Sequence, residues 1–474
     1  MIREWIEQAA ARQGDATYLQ DARGGAALTY AGLRDAVRTW ERVLDDAGLP
    51  EGTPIAVRLA DPLEYATALV ALLGAGRVAV PLDPGAPPAD VARVLEVAGP
   101  AAVTMEPFGI EILGPGTAGD SGGIYLCTSG TTGTPKGILL GNEQLAHVAR
   151  SVVTHHKISP NDRGYCPLPL FHVNAEVVGL LATLSAGAYL ALDRKFSRRG
   201  FWEMISQRRI TWINAVPAII SILSLEPPST PPSGIRFVRS ASAPLPRAAL
   251  ERFETALRIP IVETYGMTEA ASMITANPVD GIRKIGSAGR PAGTEVRVVQ
   301  VSEMGVVTPC QPLEVGRVQI RGAGVISSYA SGGRPGVISP EGWLDTSDLG
   351  YLDSDGYLFL AGRSDDVINR GGEKIYPREI EELLIAQPGV RSAAVVGAPD
   401  DVLGERPVAW IVPVAERGLA LGDLEAALRD ACAADLPRHK QPSTFFIVDE
   451  MPLGPTGKIA RRRLKDLVVA AAPQ

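Results

Sequence analysis

Apolar residues near the start of the chain recur with a helical period. Leu33, Val37, Trp40 and Leu44 lie three or four positions apart, which predicts an amphipathic helix over residues 29–47. Extended apolar runs then alternate with further helical segments. The predicted strands are 54–59, 78–82, 188–192 and 211–215, and the predicted helices are 64–73, 143–154, 177–185 and 201–208. This alternation is typical of parallel sheets with helices on their faces.

The pattern changes in the last third of the chain. Residues 296–320 show short extended segments and turns, which indicates a small β-barrel-like subdomain. We place the main boundary at Gly362–Asp365, between an N-terminal domain (1–363) and a small mobile α+β domain (364–474). The predicted elements of the latter are helices 377–386 and 424–434 and strands 393–397, 409–413 and 444–448. The fold class expected for the whole chain is α/β.

Composition excludes several classes of function. The chain has 474 residues, 46% of them hydrophobic, and a net charge of −7, so nucleic-acid binding is not expected as its main task. No apolar run reaches the ~18 residues of a membrane span, and Met1–Gln8 does not resemble a signal peptide. We therefore expect a cytoplasmic protein, with a homodimer left open. Cys127, Cys166, Cys310 and Cys432 lie too far apart to suggest a zinc site or a disulfide framework.

The segment Cys127–Gly137, with the sequence CTSGTTGTPKG, points most directly to a ligand. Its glycines allow positive φ, so successive N–H groups can turn toward an anion, and hydroxyls and a lysine add donors and positive charge. The residues expected to hold phosphates are Thr128, Ser129, Gly130, Thr131, Thr132, Gly133, Thr134 and Lys136. The spacing is not that of a P-loop, because a glycine follows the lysine. Apolar flanks at 124–126 and 138–140 predict a strand on either side.

This loop resembles the signature of the adenylate-forming superfamily, which includes acyl-CoA synthetases, adenylation domains of peptide synthetases and luciferases. Further stretches match in the expected order between about Leu28 and Leu464, and the overall look is closest to the oxalate-CoA ligase-like group. The resemblance implies ATP- and Mg²⁺-dependent activation of a carboxylic acid as an acyl-adenylate, with release of pyrophosphate. A thiol, with CoA as the first choice, would then accept the acyl group. A carrier protein, another nucleophile or a non-catalytic nucleotide-binding protein is left open.

The resemblance also implies roles for residues of the N-terminal domain. His172, in Pro169–Val173, would lie at the mouth of the acid pocket. The adenine would run along Ala241, Ser242 and Ala243 and stack on Tyr265, which Gly266 follows in a turn. Thr268 would donate to a phosphate oxygen, and Glu269 would supply an oxygen ligand for Mg²⁺.

Towards the C-terminus the resemblance implies a ribose site, a hinge and a mobile lysine. Asp348 would accept from the ribose hydroxyls, with Arg363 as a second contact, although Ser347 stands where the superfamily usually has glycine. Asp365 matches the hinge position. The residues implied for the thiol passage and for the reacting oxygens are Gly371, Gly372 and Lys458. The run Arg461–Arg463 is interpreted as a solvated face.

The acid pocket departs from the oxalate group at two positions. That group has histidines where this chain has Asn174 and Ser272, and both losses remove a cationic partner for a second carboxylate. The departures argue against a dicarboxylate. Asn174, Glu176, Asn214 and Ser272 would give a polar-walled pocket for a small, functionalised or aromatic acid, unless some of these side chains face away.

Overall fold

The computed structural model describes residues 1–116, 119, 122–128, 136–230, 232–302, 305–333, 335–414, 421–453 and 459–471. The chain divides into two compact units. The first comprises Met1–Ser242, Leu250–Val296 and Gln319–Leu344, and the second comprises Ala243–Ala249, Arg297–Val318 and Asp345–Gln474. The domain boundary predicted between residues 363 and 364 stays a prediction.

Helices and strands alternate through the first half of the chain, as predicted. The α-helices are α1 (Ile2–Gln13), α2 (Tyr30–Asp46), α3 (Pro62–Gly74), α4 (Pro88–Ala98), α5 (Asn142–His156), α6 (Ala182–Ala186), α7 (Phe201–Gln207), α8 (Pro217–Leu225), α9 (Arg247–Leu257), α10 (Pro377–Ile385), α11 (Leu421–Asp435) and α12 (Arg461–Ala471). The strands up to residue 276 are β1 (Thr17–Asp21), β2 (Ala27–Thr29), β3 (Pro54–Val57), β4 (Val78–Pro81), β5 (Ala102–Thr104), β6 (Glu111–Ile112), β7 (Gly123–Thr128), β8 (Lys136–Gly141), β9 (Arg163–Cys166), β10 (Tyr189–Leu192), β11 (Trp212–Ala215), β12 (Phe237–Ser240), β13 (Ile261–Met267) and β14 (Ser272–Ala276). The later strands are β15 (Arg290–Pro291), β16 (Glu295–Val301), β17 (Val307–Pro309), β18 (Gly316–Arg321), β19 (Leu344–Leu352), β20 (Leu358–Arg363), β21 (Ile368–Arg370), β22 (Glu373–Ile375), β23 (Val390–Asp400), β24 (Gly404–Pro413) and β25 (Thr444–Ile447).

The helix predicted over residues 29–47 is confirmed as α2. The Thr29 hydroxyl accepts from the Gly32 N–H and caps the helix, and the apolar residues that define its period are buried. They pack one face of α2 against the rest of the unit, while its charged residues face outward.

Two sheets form the frame of the first unit. The larger has the order β15-β14-β13-β12-β11-β9-β10-β1-β2, with parallel pairing from β13 through to β1. The other has the order β6-β5-β3-β4-β7-β8. Parallel strands need both faces covered, and Trp212, Phe237 and Tyr165 are fully buried against the helices of the larger sheet. The carboxyl ends of its parallel strands are where ligands bind in open α/β sheets.

The segment predicted as one helix over residues 177–185 consists of two helices of different types. A π-helix spans Asn174–Leu181, and α6 follows it. At its end the Ala182 N–H donates to the Val177 carbonyl, five residues back rather than four. The wider turn begins earlier than the apolar pattern indicated and buries Asn174 and Glu176 among apolar residues.

The second unit contains most of the third sheet and all of the fourth. The third sheet has the order β17-β16-β18-β19-β20, which accounts for the predicted short strands. The fourth has the order β22-β21-β24-β23, with β25 paired to β24. Its core is formed by Ile380 and Leu384 of α10, Leu428 of α11 and Val395 and Ile411 of the sheet. The α+β architecture predicted for the C-terminal part of the chain is confirmed.

The interpretation of residues 461–463 as a solvated face is wrong for Arg461. Its Nη1 and Nη2 donate to Oε1 and Oε2 of Glu381 at 2.6 and 2.8 Å, and Nη1 also donates to the Val395 carbonyl at 2.9 Å. Its Nε lies 3.5 Å from Oδ2 of Asp366. The bidentate pair ties the start of α12 to α10, while Arg463 is exposed.

We expect Arg461→Met to lower the free energy of unfolding by about 2–3 kcal/mol, because Glu381 would keep a buried charge without its partner. Arg463→Met, at an exposed position of the same helix, should change it by less than about 0.5 kcal/mol. Urea unfolding followed by circular dichroism measures both. Similar losses in the two variants would contradict a structural role specific to Arg461.

Across the ranges that the structure describes, no helix combines the length and the apolar character needed to cross a bilayer.

Candidate active site

A β-hairpin carries the predicted phosphate loop. β7 and β8 pair antiparallel, with Leu126 opposite Ile138 and Thr128 opposite Lys136 at the open end. The predicted strands on either side of the loop are confirmed. Ser129, Gly130, Thr131, Thr132, Gly133 and Thr134 lie outside the described residues.

Lys136 and Glu269 are connected through a residue that the sequence analysis did not single out. The Lys136 Nζ lies 5.2 Å from the centre of the Tyr329 ring, and the Tyr329 hydroxyl donates to Glu269 Oε1 at 3.0 Å. All three side chains are partly exposed. Tyr329 therefore contacts both the cation of the loop, through its ring, and the carboxylate expected to bind Mg²⁺, through its hydroxyl.

The segment that carries Tyr329 is held by backbone hydrogen bonds. The Ile326 N–H donates to the Glu269 carbonyl at 2.9 Å, and the Ala330 N–H donates to the Gly137 carbonyl at 2.9 Å. The Gly137 N–H lies 3.1 Å from both the carbonyl and the hydroxyl oxygen of Ser331. These bonds fix the position of Tyr329 relative to the base of the hairpin.

We expect Gly137→Ala to raise the KM for ATP by about tenfold or more. An added Cβ would lie 2.0 Å from the Tyr125 hydroxyl oxygen and 2.6 Å from the Ser331 hydroxyl oxygen, so these side chains or the base of the loop must shift. Gly25→Ala is the matched control, because an added Cβ meets nothing within 4 Å there. Initial-rate measurements over a range of ATP concentrations compare the two, and an unchanged KM in Gly137→Ala would contradict the expectation.

Thr268 and Glu269 lie on a tight turn between two antiparallel strands. β13 and β14 are joined by a single 3₁₀ turn, Thr268–Ala270, and the pairing shifts register between Tyr265 and Gly266. An added Cβ at Gly266 would lie 1.6 Å from the Ser272 carbonyl oxygen, so only glycine fits. Ser272 itself has a φ of +101°, a strained value for a residue with a side chain. The turn presents Thr268 and Glu269 with little freedom.

Two of the predicted pocket residues meet at a buried arginine. Nη1 of Arg239 donates to Oδ1 of Asn174 at 2.8 Å and to Oδ1 of Asn214 at 3.1 Å. Nδ2 of Asn214 donates to Oδ1 of Asn174 at 3.2 Å and lies 3.7 Å from the Cys166 sulfur. Arg239 and Asn214 are opposite one another on β12 and β11, so both project from the same face of the sheet. Ser272 is the first residue of β14.

Burial dominates the electrostatics of this region. Arg239 is 1% exposed, and burial lowers its pKa to about 9, so it remains a cation at neutral pH. Glu176 is fully buried, its two carboxyl oxygens accept no hydrogen bond from the described residues, and burial raises its pKa well above the usual range. The neutral acid is therefore the favoured form of Glu176.

His172 precedes Asn174 by two residues, and the adenine segment begins two residues after Arg239. His172 is half-buried ahead of the π-helix, where its carbonyl accepts from the Ala175 and Glu176 N–H groups, and its ring packs on Phe171 at 4.7 Å between centres. Ala241 continues β12 through a bond from its N–H to the Ala215 carbonyl, and Ser242 has a φ of +77°. Ala243 is assigned to the second unit.

In the second unit, the predicted ribose residues lie together. Asp348 and Arg363 are opposite one another on β19 and β20, with Arg363 Nη1 3.4 Å from Asp348 Oδ1. Ser347 has a φ of +61°, a conformation that glycine adopts more easily than a residue with a side chain. Its N–H donates to Oδ1 of Asp345 at 2.8 Å, which stabilises the strained turn.

The predicted hinge and thiol passage also belong to the second unit. Asp365 lies in a 3₁₀ turn, Ser364–Asp366, directly after β20. Gly371 and Gly372 have φ values of +60° and +92°, and both are exposed. The Gly371 N–H donates to the Leu403 carbonyl at 2.7 Å. Lys458 lies outside the described residues.

Known proteins match almost the whole chain. The family described as AMP-binding enzyme matches residues 6–121 and 115–330, and the C-terminal domain of AMP-binding enzymes matches residues 379–458. The chain belongs to the AMP-binding enzymes. This enzyme is 36% identical over 495 residues to the sulfoacetate–CoA ligase of Cupriavidus necator, covering 96% of this chain and 95% of the relative. It is 32% identical over 482 residues to the oxalate–CoA ligase of Arabidopsis thaliana, covering 92% of each.

The solved structures agree. The o-succinylbenzoate CoA synthetase of Bacillus subtilis with its acyl-adenylate superposes on this enzyme with a TM-score of 0.84, at 29% identity and over 98% of each chain. The same synthetase with ATP and magnesium gives a TM-score of 0.84 at 28% identity, over 98% of this chain and 99% of that one. The predicted superfamily, fold class and enzyme class are confirmed: this AMP-binding enzyme is an AMP-forming acid–thiol ligase.

The residues present fit a magnesium ion that arrives with ATP. Within the described part of the chain, no group of three His, Cys, Asp or Glu side chains could hold an ion without a substrate. Mg²⁺ in nucleotide sites is commonly bound by one or two carboxylates together with phosphate oxygens. Glu269, half-buried and oriented by the Tyr329 hydroxyl, provides one such carboxylate.

Proposed function

We propose that this AMP-binding enzyme activates a small carboxylic acid with ATP and transfers the acyl group to CoA. In the first step a carboxylate oxygen attacks the α-phosphorus, the bond to the bridging oxygen breaks, and pyrophosphate leaves. In the second step the CoA thiolate attacks the acyl carbon and AMP leaves. The observation that carries this proposal is the connection of Lys136, Tyr329 and Glu269 at the base of the loop hairpin.

The first step needs positioning and charge neutralisation rather than a covalent bond to the protein. We assign the β- and γ-phosphates to the loop from Thr128 to Lys136, with Thr268 donating to a phosphate oxygen. Glu269 would be the protein ligand of the Mg²⁺ that accompanies ATP, and the ion would supply charge neutralisation at the phosphates. Tyr329 supports the assignment, because its ring contacts Lys136 and its hydroxyl orients the Glu269 carboxylate.

The nucleoside and the reacting oxygens have their own candidates. Tyr265, Gly266 and the segment from Ala241 to Ala243 would bind the adenine, and Asp348 with Arg363 would bind the ribose. His172 would lie beside the reacting carboxylate. Lys458 would bridge the carboxylate and the α-phosphate.

For the second step, we propose that the C-terminal domain, residues 364–474, rotates about Asp365. The rotation would remove Lys458 and bring the loop of Gly371 and Gly372 to the acyl-adenylate. The exposed position and the left-handed φ of both glycines support this, since they let a pantetheine arm pass close to the backbone.

CoA is the acceptor we favour, because both curated relatives described above are named as CoA ligases. Sulfoacetate and oxalate, the acids in their names, are small and carry a second acidic group. A carrier-protein thiol is the second candidate acceptor.

Pyrophosphate release across a panel of small acids, with and without CoA, tests the proposal. We expect acid-dependent release that turns over only with CoA and stops at about one equivalent without it. Continued turnover with a carrier protein but not with CoA would show that the acceptor is the carrier-protein thiol. No release with any acid would contradict adenylation itself.

A further inference from the structure

The buried cluster around Arg239 holds a positive charge without an anion. Among the described residues no carboxylate forms an ion pair with Arg239, and its hydrogen bonds run from Nη1 to two amide oxygens. Its Nε has no hydrogen-bond partner, and neither has Nδ2 of Asn174. Taking a guanidinium out of water is costly unless it is paired, so a cation buried in this way favours binding of an anion.

The ionisable groups beside Arg239 do not offset its positive charge. The nearby thiol of Cys166 is neutral, because burial raises its pKa to about 11. His156 of α5 is also neutral, since burial and then the positive charge of Arg239 lower its pKa well below the usual range. The cluster therefore carries a net charge of about +1 with donors that remain unused.

The cluster occupies the place in the fold where ligands bind. Cys166, Asn214 and Arg239 lie at or next to the carboxyl ends of the parallel strands β9, β11 and β12. Asn174 covers them from the first turn of the π-helix. Ligands of open α/β sheets bind beyond the carboxyl ends of the strands, and π-helical turns often occur at functional sites.

We propose that the acid activated by this enzyme carries a second anionic group, a sulfonate or a carboxylate, which binds Arg239 and the Asn174 amide. The inference rests on the proposed function and names the substrate class of that same site. It also revises the argument against a second acidic group, which considered only the two missing histidines. Arg239 supplies a cationic partner despite the loss of those histidines.

Matched pairs of acids test this in the wild-type enzyme. Sulfoacetate is compared with methylsulfonylacetate, and malonate with its monomethyl ester, so that the second charge is lost and the size of the acid changes by no more than one methyl group. We expect kcat/KM for pyrophosphate release to favour the better dianion over its monoanionic partner by about 100-fold or more. Comparison of the sulfonate pair with the carboxylate pair shows which second anionic group the site prefers. A ratio near one in both pairs, with active monoanionic acids, would overturn the inference and leave the proposed function intact.

Two variants test whether Arg239 causes the preference for the dianion. Arg239→Met removes the charge, and Asn214→Asp supplies an internal carboxylate beside it that competes with the substrate anion. In both variants the preference for the dianion should fall at least tenfold, whereas Arg38→Met, which is exposed on α2, should retain it. If Arg239 had only a structural role, the ratio of kcat/KM values would be unchanged in Asn214→Asp. That result would overturn the inference.

Melting temperatures are measured for each variant. If Arg239→Met does not fold, the wild-type ratios and Asn214→Asp decide the matter. If no acid of either kind releases pyrophosphate from the wild-type enzyme, the proposed function fails, and this inference fails with it.

Discussion

Replacing Lys458 by alanine should slow formation of the acyl-adenylate by a factor of about 10²–10³, the usual cost of losing one group that stabilises a developing charge. The expectation follows from the position of Lys458 at the end of the matched C-terminal domain, residues 379–458, and from its proposed contact with both reacting oxygens. ATP–pyrophosphate exchange measures the first step. The second step is measured separately, as CoA thioester formation from synthetic acyl-adenylate.

The second step should change by less than about threefold in Lys458→Ala, since the proposed rotation removes this lysine before the thiol attacks. Lys465→Ala, on α12, is the control for removing a positive charge from the same end of the chain. Equal losses in both steps would refute separate roles for the two domain orientations.

Replacing Glu269 by glutamine should lower the rate of adenylation by about 10²–10³ and raise the Mg²⁺ concentration needed for half-maximal rate. The neutral amide keeps the shape of the side chain and a hydrogen bond to Tyr329 but loses the charge that attracts the ion. A magnesium titration at saturating ATP gives both quantities.

Tyr329→Phe is the matched comparison for Glu269→Gln. It keeps the ring beside Lys136 and removes only the hydroxyl that orients Glu269. We expect a loss of about 3–10-fold, the effect of one hydrogen bond to a charged group that is half-exposed. If Glu269→Gln shows an unchanged Mg²⁺ requirement, Glu269 is not a ligand of the ion.

Local patterns predicted most of the frame of this enzyme. The period of Leu33, Val37, Trp40 and Leu44 was sufficient for α2, because its buried face is set by spacing alone. The π-helix at Asn174–Leu181 was missed, because its widened turn depends on tertiary packing and an apolar run does not distinguish it from an α-helix.

The site was predictable where its residues are close in sequence and not where they come from distant segments. The turn with Thr268 and Glu269 was recognised as a motif, whereas Tyr329 reaches Glu269 from a segment 60 residues away. Arg239 lies two positions before the predicted adenine segment, and its local sequence does not reveal that its side chain joins Asn174 and Asn214. Only the pairing of β11 with β12 reveals that contact.

The most direct measurement uses an active acid labelled with ¹⁸O in its carboxylate, with ATP, Mg²⁺ and CoA, and ³¹P NMR of the products. If the carboxylate attacks the α-phosphorus, AMP and pyrophosphate form in equal amounts, and each AMP carries one ¹⁸O from the acid. Unlabelled AMP, or ADP with labelled orthophosphate, would contradict activation through an acyl-adenylate.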